Sequence, residues 1–214
     1  MTPSKTITSK TLDAQIYALH KHRHQVYEEG TPGIPYSVHL IIVNTQVIKY
    51  LHLLPEELWE IVIMAAWLHD VREDLGVSYN EIKKRYGIDV AEVVYCLTNF
   101  DGRTRKEKAI NTYGPKTSTN RLAVYDKLAD RLGNVLFGIL NGGTSSMLKT
   151  QAEEFDYMVE ILFVPGEYDE MWNDLADMLK KPRPTEPGHQ YKMRGNEFFK
   201  PFVSVQPPSN GIML

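Results

Sequence analysis

The chain has 214 residues and a net charge of −3, room for one domain with a tail and hardly for two. Hydrophobic residues at 43% and charged residues at 24% exclude an intrinsically disordered chain. The mild acidity, with a sequence pI near 6.2, disfavours a protein held on nucleic acid by counterion release. Cys96 stands alone against seven histidines. No internal disulfide and no Cys-rich zinc site can form, so any metal here rests on nitrogen and oxygen. Met1 to Lys10 is polar and lacks an apolar signal-peptide core, and the apolar stretch Ile61 to Leu68 is too short to span a bilayer. The expectation is a cytoplasmic protein with no membrane partner.

The period is helical nearly throughout. Leu12 to Tyr27 carries a loose apolar stripe at Leu12, Ile16, Leu19 and Val26. Gly30, Pro32, Gly33 and Pro35 interrupt it, and Pro35 suits the first turn of a helix running to about Leu51. Pro55-Glu56-Glu57 opens the next helix, with acids where the helix dipole favours them, and it runs to His69-Asp70. Ser78 with Glu81 forms a capping box for a short helix that stops at Gly87. Asp89 to Leu97 reads as a helix, with Val93 to Tyr95 the one stretch that also suits a strand. Asn99 to Pro115 is polar and basic, a candidate loop carrying Arg103, Arg105, Lys106 and Lys108. Ser118 or Thr119 caps a long helix ending near Asn141-Gly142-Gly143, and helices at about 146–163 and 167–180 follow, divided by Pro165-Gly166. Past Lys181 the prolines crowd: Pro182, Pro184, Pro187, Pro201, Pro207 and Pro208 are half of the chain's twelve. The fold expected is an all-α domain over 1–181, followed by an extended tail over 182–214 packed through Phe198, Phe199 and Phe202.

The chemistry gathers around His69-Asp70. Glu73 and Asp74 follow four residues later, so on a continuing helix each pair shares a face. Three carboxylates and an imidazole then abut a helix that is apolar all round, and a buried carboxylate cluster needs a cation or shifted pKa values. His39 sits early in a helix lined by Leu40, Ile41, Val43 and Val47; alone it reads first as a core histidine bonded to a carbonyl. Asp126, Asp130 and Asn134 recur at four-residue spacing; alone they read as a solvated acidic stripe with Arg131 as partner. His20, His22 and His24 cannot all face one side of a helix, so at least one is surface. His52 and His189 have no visible partner.

In order, His39, His69-Asp70 and Asp130 resemble the signature of HD-domain phosphohydrolases, and more closely the RelA/SpoT-type hydrolase domain and its stand-alone small alarmone hydrolases, the Mesh1-like proteins. The resemblance covers about residues 12 to 160. It is carried by Lys21-His22-Arg23-His24-Gln25, Gly33-Ile34-Pro35-Tyr36-Ser37-Val38-His39, Leu68-His69-Asp70-Val71-Arg72-Glu73-Asp74, Tyr86-Gly87 with Val90, Val94, Leu97 and Thr98, and Lys127-Leu128-Ala129-Asp130-Arg131-Leu132-Gly133-Asn134. It implies an HD-domain helical bundle with His39, His69, Asp70 and Asp130 holding one divalent ion, manganese in this family. It also implies Glu73 and Asp74 as the pair that positions and deprotonates the attacking water. Asn134 matches a nucleotide contact, and Arg105 with Lys106 falls in a phosphate-contacting loop. Lys149, Phe155 and Tyr157 fall on the helix that closes the pocket. No His lies between His69 and Asp130, which sets the chain apart from two-metal relatives that cleave cyclic nucleotides.

The sequence departs from the family pattern where Tyr27 replaces an Arg that packs on the base, where Glu28 replaces a basic residue, where His24 replaces a small or basic residue, and where Gly133 replaces a His or aromatic residue. Tyr27 still offers a ring on which a base could stack. The activity implied is removal of the 3′-pyrophosphate from guanosine tetra- or pentaphosphate, with a small phosphorylated nucleotide as partner and no nucleic-acid polymer. Two alternatives fit the same motifs: hydrolysis of another phosphorylated nucleotide, NADPH included, and a catalytically silent HD module with a regulatory role. The complete ligand set and the intact Glu73-Asp74 pair favour an enzyme.

Overall fold

The computed structural model describes residues 8–27, 33–99, 102–142 and 146–186. Among these the chain forms ten α-helices and no strand. They are α1 (Ser9–Lys21), α2 (Ser37–Lys49), α3 (Trp59–Leu68), α4 (Val71–Leu75), α5 (Tyr79–Tyr86), α6 (Ile88–Leu97), α7 (Arg105–Tyr113), α8 (Arg121–Leu140), α9 (Ser146–Leu162) and α10 (Asp169–Leu179). The central element is α8, which packs against α2, α3, α6, α9 and α10. Leu128 and Leu132 of α8 meet a core that includes Leu40 of α2 and Leu68 of α3, each no more than 1% exposed. Burial of one such side chain stabilises the fold by about 1.5–3 kcal/mol. Helix α3 is buried from Val62 to Leu68 without interruption, as a helix apolar on every face must be.

Several elements follow the local signals. Ser78 Oγ accepts from the Glu81 amide, and α5 ends at Gly87, whose φ of +101° is a conformation glycine adopts freely. Val93 to Tyr95 lie within α6; with no strand among the described residues to pair them, helix is what satisfies their backbone.

Three local expectations are corrected. In α1 the inward face is Thr11, Ala14, Tyr17 and Ala18, whereas Leu12 and Ile16 are 52% and 59% exposed. Ala14 and Ala18, one turn apart, let α1 lie close on α3, and the Tyr17 hydroxyl donates to Glu81 Oε1 at 2.5 Å. Small residues, rather than the largest apolar ones, set that face. The basic segment expected as a loop instead contains α7. Thr104 caps it by accepting from the Glu107 amide, while the Glu107 carboxylate accepts from the Arg103 amide, a reciprocal box readable in Thr104-Arg105-Lys106-Glu107. The cap of α8 is Asn120, whose Oδ1 accepts from the amides of Leu122 and Ala123; Thr117–Thr119 form a 3-10 turn before it.

Between α1 and α2 the chain doubles back. Val26 bridges Pro35, the Tyr27 amide donates to Ile34 O at 2.9 Å, and the Tyr36 amide donates to Gln25 O at 3.0 Å. This clip fixes Gln25, Tyr27 and Tyr36 beside the start of α2. Beyond α10, residues 182–186 are non-helical, with Arg183 paired to Asp177 and Thr185 bonded to Asn173. Glu28, His189 and the tail aromatics Phe198, Phe199 and Phe202 lie outside the described residues.

Gly133 marks a close approach of α8 to α2, since a Cβ placed there would meet Ile42 Cγ2 at 3.2 Å and Val43 Cγ2 at 3.4 Å. Gly133→Leu is therefore expected to destabilise the protein by about 1–3 kcal/mol through overpacking, with Gly133→Ala far milder. Urea unfolding of the two variants checks this.

Candidate metal centre and catalytic cavity

Four side chains converge from three places in the bundle. His39 comes from the first turn of α2, His69 and Asp70 from the junction of α3 with α4, and Asp130 from the middle of α8. His39 Nε2 and His69 Nε2 face each other at 3.1 Å. Asp70 Oδ2 lies 2.6 Å from His69 Nε2 and 3.4 Å from His39 Nε2, and Asp130 Oδ1 lies 3.6 Å from His39 Nε2. His39, His69 and Asp70 form a group whose ligating atoms could hold a metal ion; Asp130 stands beside that group, on α8. The donor chemistry fits a divalent cation. Two imidazole nitrogens turned toward each other beside two carboxylates suit an ion of borderline-hard character.

Electrostatics lead the same way. Burial would lower the His69 pKa, but Asp70 and then Asp130 overcome it and push it up to about 9. Burial would raise Asp70 and Asp130. The two histidines hold Asp70 well below the usual carboxylate range, and Lys127 and Arg131, followed by the histidines, do so for Asp130. The centre is thus built for carboxylates that stay ionised inside the protein.

Each of these groups is braced. His69 Nδ1 lies 2.8 Å from Ala66 O and donates to it, which turns Nε2 toward the other three groups. The Tyr36 hydroxyl donates to Asp70 Oδ2 at 2.5 Å. Lys127 Nζ donates to Asp130 Oδ2 at 3.1 Å, and Asn134 Nδ2 donates to Asp130 Oδ1 at 2.7 Å. Tyr27 is buried, stacks on the His39 ring with centroids 5.0 Å apart, and donates its hydroxyl to Asn134 Oδ1 at 2.7 Å. Both ends of the Asn134 amide are therefore engaged within the protein. The base-stacking role expected of Tyr27 meets a ring already occupied by His39 and, edge-on, by Phe137.

The cavity outside this centre has a volume of about 510 Å³ and is lined by Tyr27, Tyr36, His39, Asp70, Glu73, Asp74, Asn99, Arg103, Arg105, Lys108, Lys127, Asp130, Arg131, Asn134 and Glu154, among others. Both oxygens of Glu73 accept from Asn99, one from the backbone amide and one from Nδ2. Asp74 Oδ2 accepts from Gln25 Nε2 at 2.7 Å, and Gln25 Oε1 lies 2.6 Å from His22 Nδ1. Burial, then the neighbouring Asp70, raises the Asp74 pKa. A carboxylate raised in this way is a better proton acceptor than an ordinary one.

The basic residues divide. Arg105 lines the main cavity with its Nε on Glu154, a carboxylate that also pairs with Arg131 at 3.0 Å. Lys106 and Tyr157 line instead a neighbouring cleft of about 360 Å³, with the ammonium 5.8 Å from the ring centroid. Lys149 is exposed and lines neither space, while Phe155 is core, edge-on to Trp172. The acidic stripe expected on α8 is buried rather than solvated, and Arg131 pairs across to α9. His22 is buried and stacked on Tyr36, His20 and His24 are exposed, and His52 pairs with Glu170 at 2.7 Å.

The residues that the sequence did not single out are the braces Tyr36, Gln25, Asn99, Lys127 and Glu154. Tyr36, Gln25 and Lys127 lie inside motifs that carry the family resemblance; Glu154, on α9, had no signal.

A helical bundle with a His, a His-Asp pair and an Asp converging beside a polar cavity has the fold of the HD-domain class. Chains in known proteins narrow this. Over 128 residues, 60% of this chain and 69% of the relative, it is 30% identical to the Drosophila melanogaster guanosine-3′,5′-bis(diphosphate) 3′-pyrophosphohydrolase MESH1. Over 109 residues, 48% of this chain, it is 34% identical to a Haemophilus influenzae guanosine-3′,5′-bis(diphosphate) 3′-pyrophosphohydrolase, of which the match spans 15%. The solved structure of a metazoan ortholog of SpoT, described as hydrolysing ppGpp, superposes with a TM-score of 0.64 at 25% identity, covering 81% of this chain and 96% of that one. No family model matches the chain. The chain belongs to the MESH1-type guanosine-3′,5′-bis(diphosphate) 3′-pyrophosphohydrolase family.

Asp126, one turn before Asp130, is buried with both carboxylate oxygens unbonded, and burial raises its pKa well above 3.8. Above that unfolded-state value the unfolded chain releases this proton while the folded protein keeps it, so the group costs stability as pH rises. Asp126→Asn cannot ionise. The melting temperature of Asp126→Asn relative to wild type is therefore expected to be higher at pH 7.5 than at pH 4.5.

Proposed function

We propose that the protein is a divalent-cation-dependent hydrolase that removes the 3′-pyrophosphate from guanosine tetra- and pentaphosphate, with manganese as the ion. The observation that carries the reading is the convergence of His39, His69, Asp70 and Asp130 beside the Glu73-Asp74 pair, in a cavity with a basic wall, within a chain of the MESH1 family. When bound, the cation supplies Lewis acidity, acidifying a water and polarising the phosphoryl oxygen.

The rest is the work of the chain. Asp74, held by Gln25 and raised in pKa, takes the proton of the attacking water at its remaining carboxylate oxygen. Glu73, held at both oxygens by Asn99, fixes the direction of attack. The water oxygen bonds to the phosphorus nearest the ribose, the bond from that phosphorus to the 3′ oxygen breaks, the 3′ oxygen takes a proton, and pyrophosphate leaves. Arg103 and Arg105 line the cavity where charge grows on the departing group. Arg105 is presented through Nε by Glu154, which leaves both of its Nη nitrogens for phosphate oxygens.

The test is pyrophosphate release from guanosine tetraphosphate by the pure protein. Release is expected with manganese and not after chelation; no release with any divalent metal at micromolar enzyme overturns the reading. Asp74→Asn is expected to lower kcat by about 10²- to 10⁴-fold with little change in KM, as loss of a general base does. Metal analysis separates the roles: wild type and Asp74→Asn retain one equivalent of manganese, and His69→Ala and Asp130→Ala do not.

A further inference from the structure

A second groove, of about 440 Å³, adjoins the main cavity at Glu73 and Asn99. It shares Glu73, Asn99 and Lys108 with the main cavity and adds Arg72 and Ser78. Its charge is unbalanced. Glu73 is the one carboxylate lining it among the described residues, and both Glu73 oxygens already accept from Asn99. Against it stand Arg72 and Lys108, neither paired with a carboxylate among the described residues. A third cation, Lys116, is buried behind them, donating to Thr98 O at 2.8 Å and lying 4.2 Å over the Tyr95 ring. Arg72 lies over the same ring, and its Nε is buried with no hydrogen-bond partner. Burial lowers the Lys116 pKa and Arg72 adds to that, against the opposing pull of Cys96 and Glu73. An unpartnered buried guanidinium nitrogen is costly unless a ligand completes it.

We infer that this groove is an anion subsite in which Arg72 and Lys108 hold the 5′-diphosphate of the same nucleotide whose 3′-diphosphate lies at the metal centre. The inference rests on the hydrolase reading and extends it to specificity. Because the groove and the main cavity meet at Glu73, Asn99 and Lys108, one ligand with an anionic group at each end can occupy both. Arg72 stands between Asp70 and Glu73 in sequence yet lines the groove and not the main cavity. It acts on substrate selection and not on the reacting bond.

The experiment compares two substrates, guanosine 3′,5′-bis(diphosphate) and guanosine 5′-monophosphate 3′-diphosphate, with wild type, Arg72→Met and Arg72→Lys. Wild type is expected to favour the 5′-diphosphate form through KM. Arg72→Met is expected to raise KM for that form about tenfold, the loss of one charge-assisted bond, to leave kcat unchanged, and to remove the preference. Arg72→Lys should restore part of it. Equal losses on both substrates, or no change on either, overturn the subsite. If wild type cleaves neither substrate, it is the hydrolase reading that fails. Calorimetric titration of the metal-free protein with inorganic pyrophosphate then decides the groove. Binding lost in Arg72→Met and kept in Arg105→Ala supports it, and binding unaffected by Arg72→Met overturns it.

Discussion

The structure depends on a charged turn buried at the centre of the bundle. Helix α8 is enclosed by five other helices, yet Asp126, Lys127, Asp130 and Arg131 occupy its middle. Charges are withdrawn from water only where partners replace the water, and three of these four have them. Lys127 and Asp130 bond to each other, and Arg131 is held by Glu154, Gln151 and Tyr113. Asp130 then turns its other oxygen to Asn134 and His39. Since the partners outside α8 come from α2 (His39), α7 (Tyr113) and α9 (Gln151 and Glu154), the positions of these helices answer the need to satisfy α8.

The same accounting explains why the cavity is polar and stiff. His39 is held between Tyr27 and the other ligands, Asp70 is held by Tyr36, and Asp74 is held through Gln25 by His22. Gln25, Tyr27 and Tyr36 belong to the clip between α1 and α2. That clip, a turn with almost no apolar core of its own, sets the orientation of one histidine and two carboxylates. Preorganised donors and acceptors of this kind need no rearrangement when charge develops.

Much of this was legible in the chain. The apolar run of α3 predicts a helix buried on all sides, and Ser78 with Glu81 predicts α5 to the residue. The four converging groups are each ambiguous alone, and only their order made them readable. What was not legible is instructive. Leu12 and Ile16 look inward by hydropathy, but packing against α3 selects Ala14 and Ala18, because closeness of backbones is not a property of any one residue. The cap at Thr104 was present in the letters and outweighed by the density of charge around it. Glu154 could not be found, because its role exists only once α9 is laid against α7 and α8.

The departures from the family pattern take on a different meaning in three dimensions. At Tyr27 and Gly133 the sequence suggests an altered wall for the base. Both positions lie inside the fold. The Tyr27 ring lies on His39 and its hydroxyl on Asn134, while Gly133, one residue away, lets α8 approach α2, which carries His39. A side chain at 133 would push against Ile42 and Val43, and so against the helix that presents His39. Both changes therefore bear on His39, Tyr27 by stacking on its ring and Gly133 by letting its helix lie close to α8. They bear on the geometry of the metal centre. Arg72, Arg103, Arg105 and Lys108 line the cavity and its adjoining groove, where the proposed hydrolase reading puts the phosphate groups.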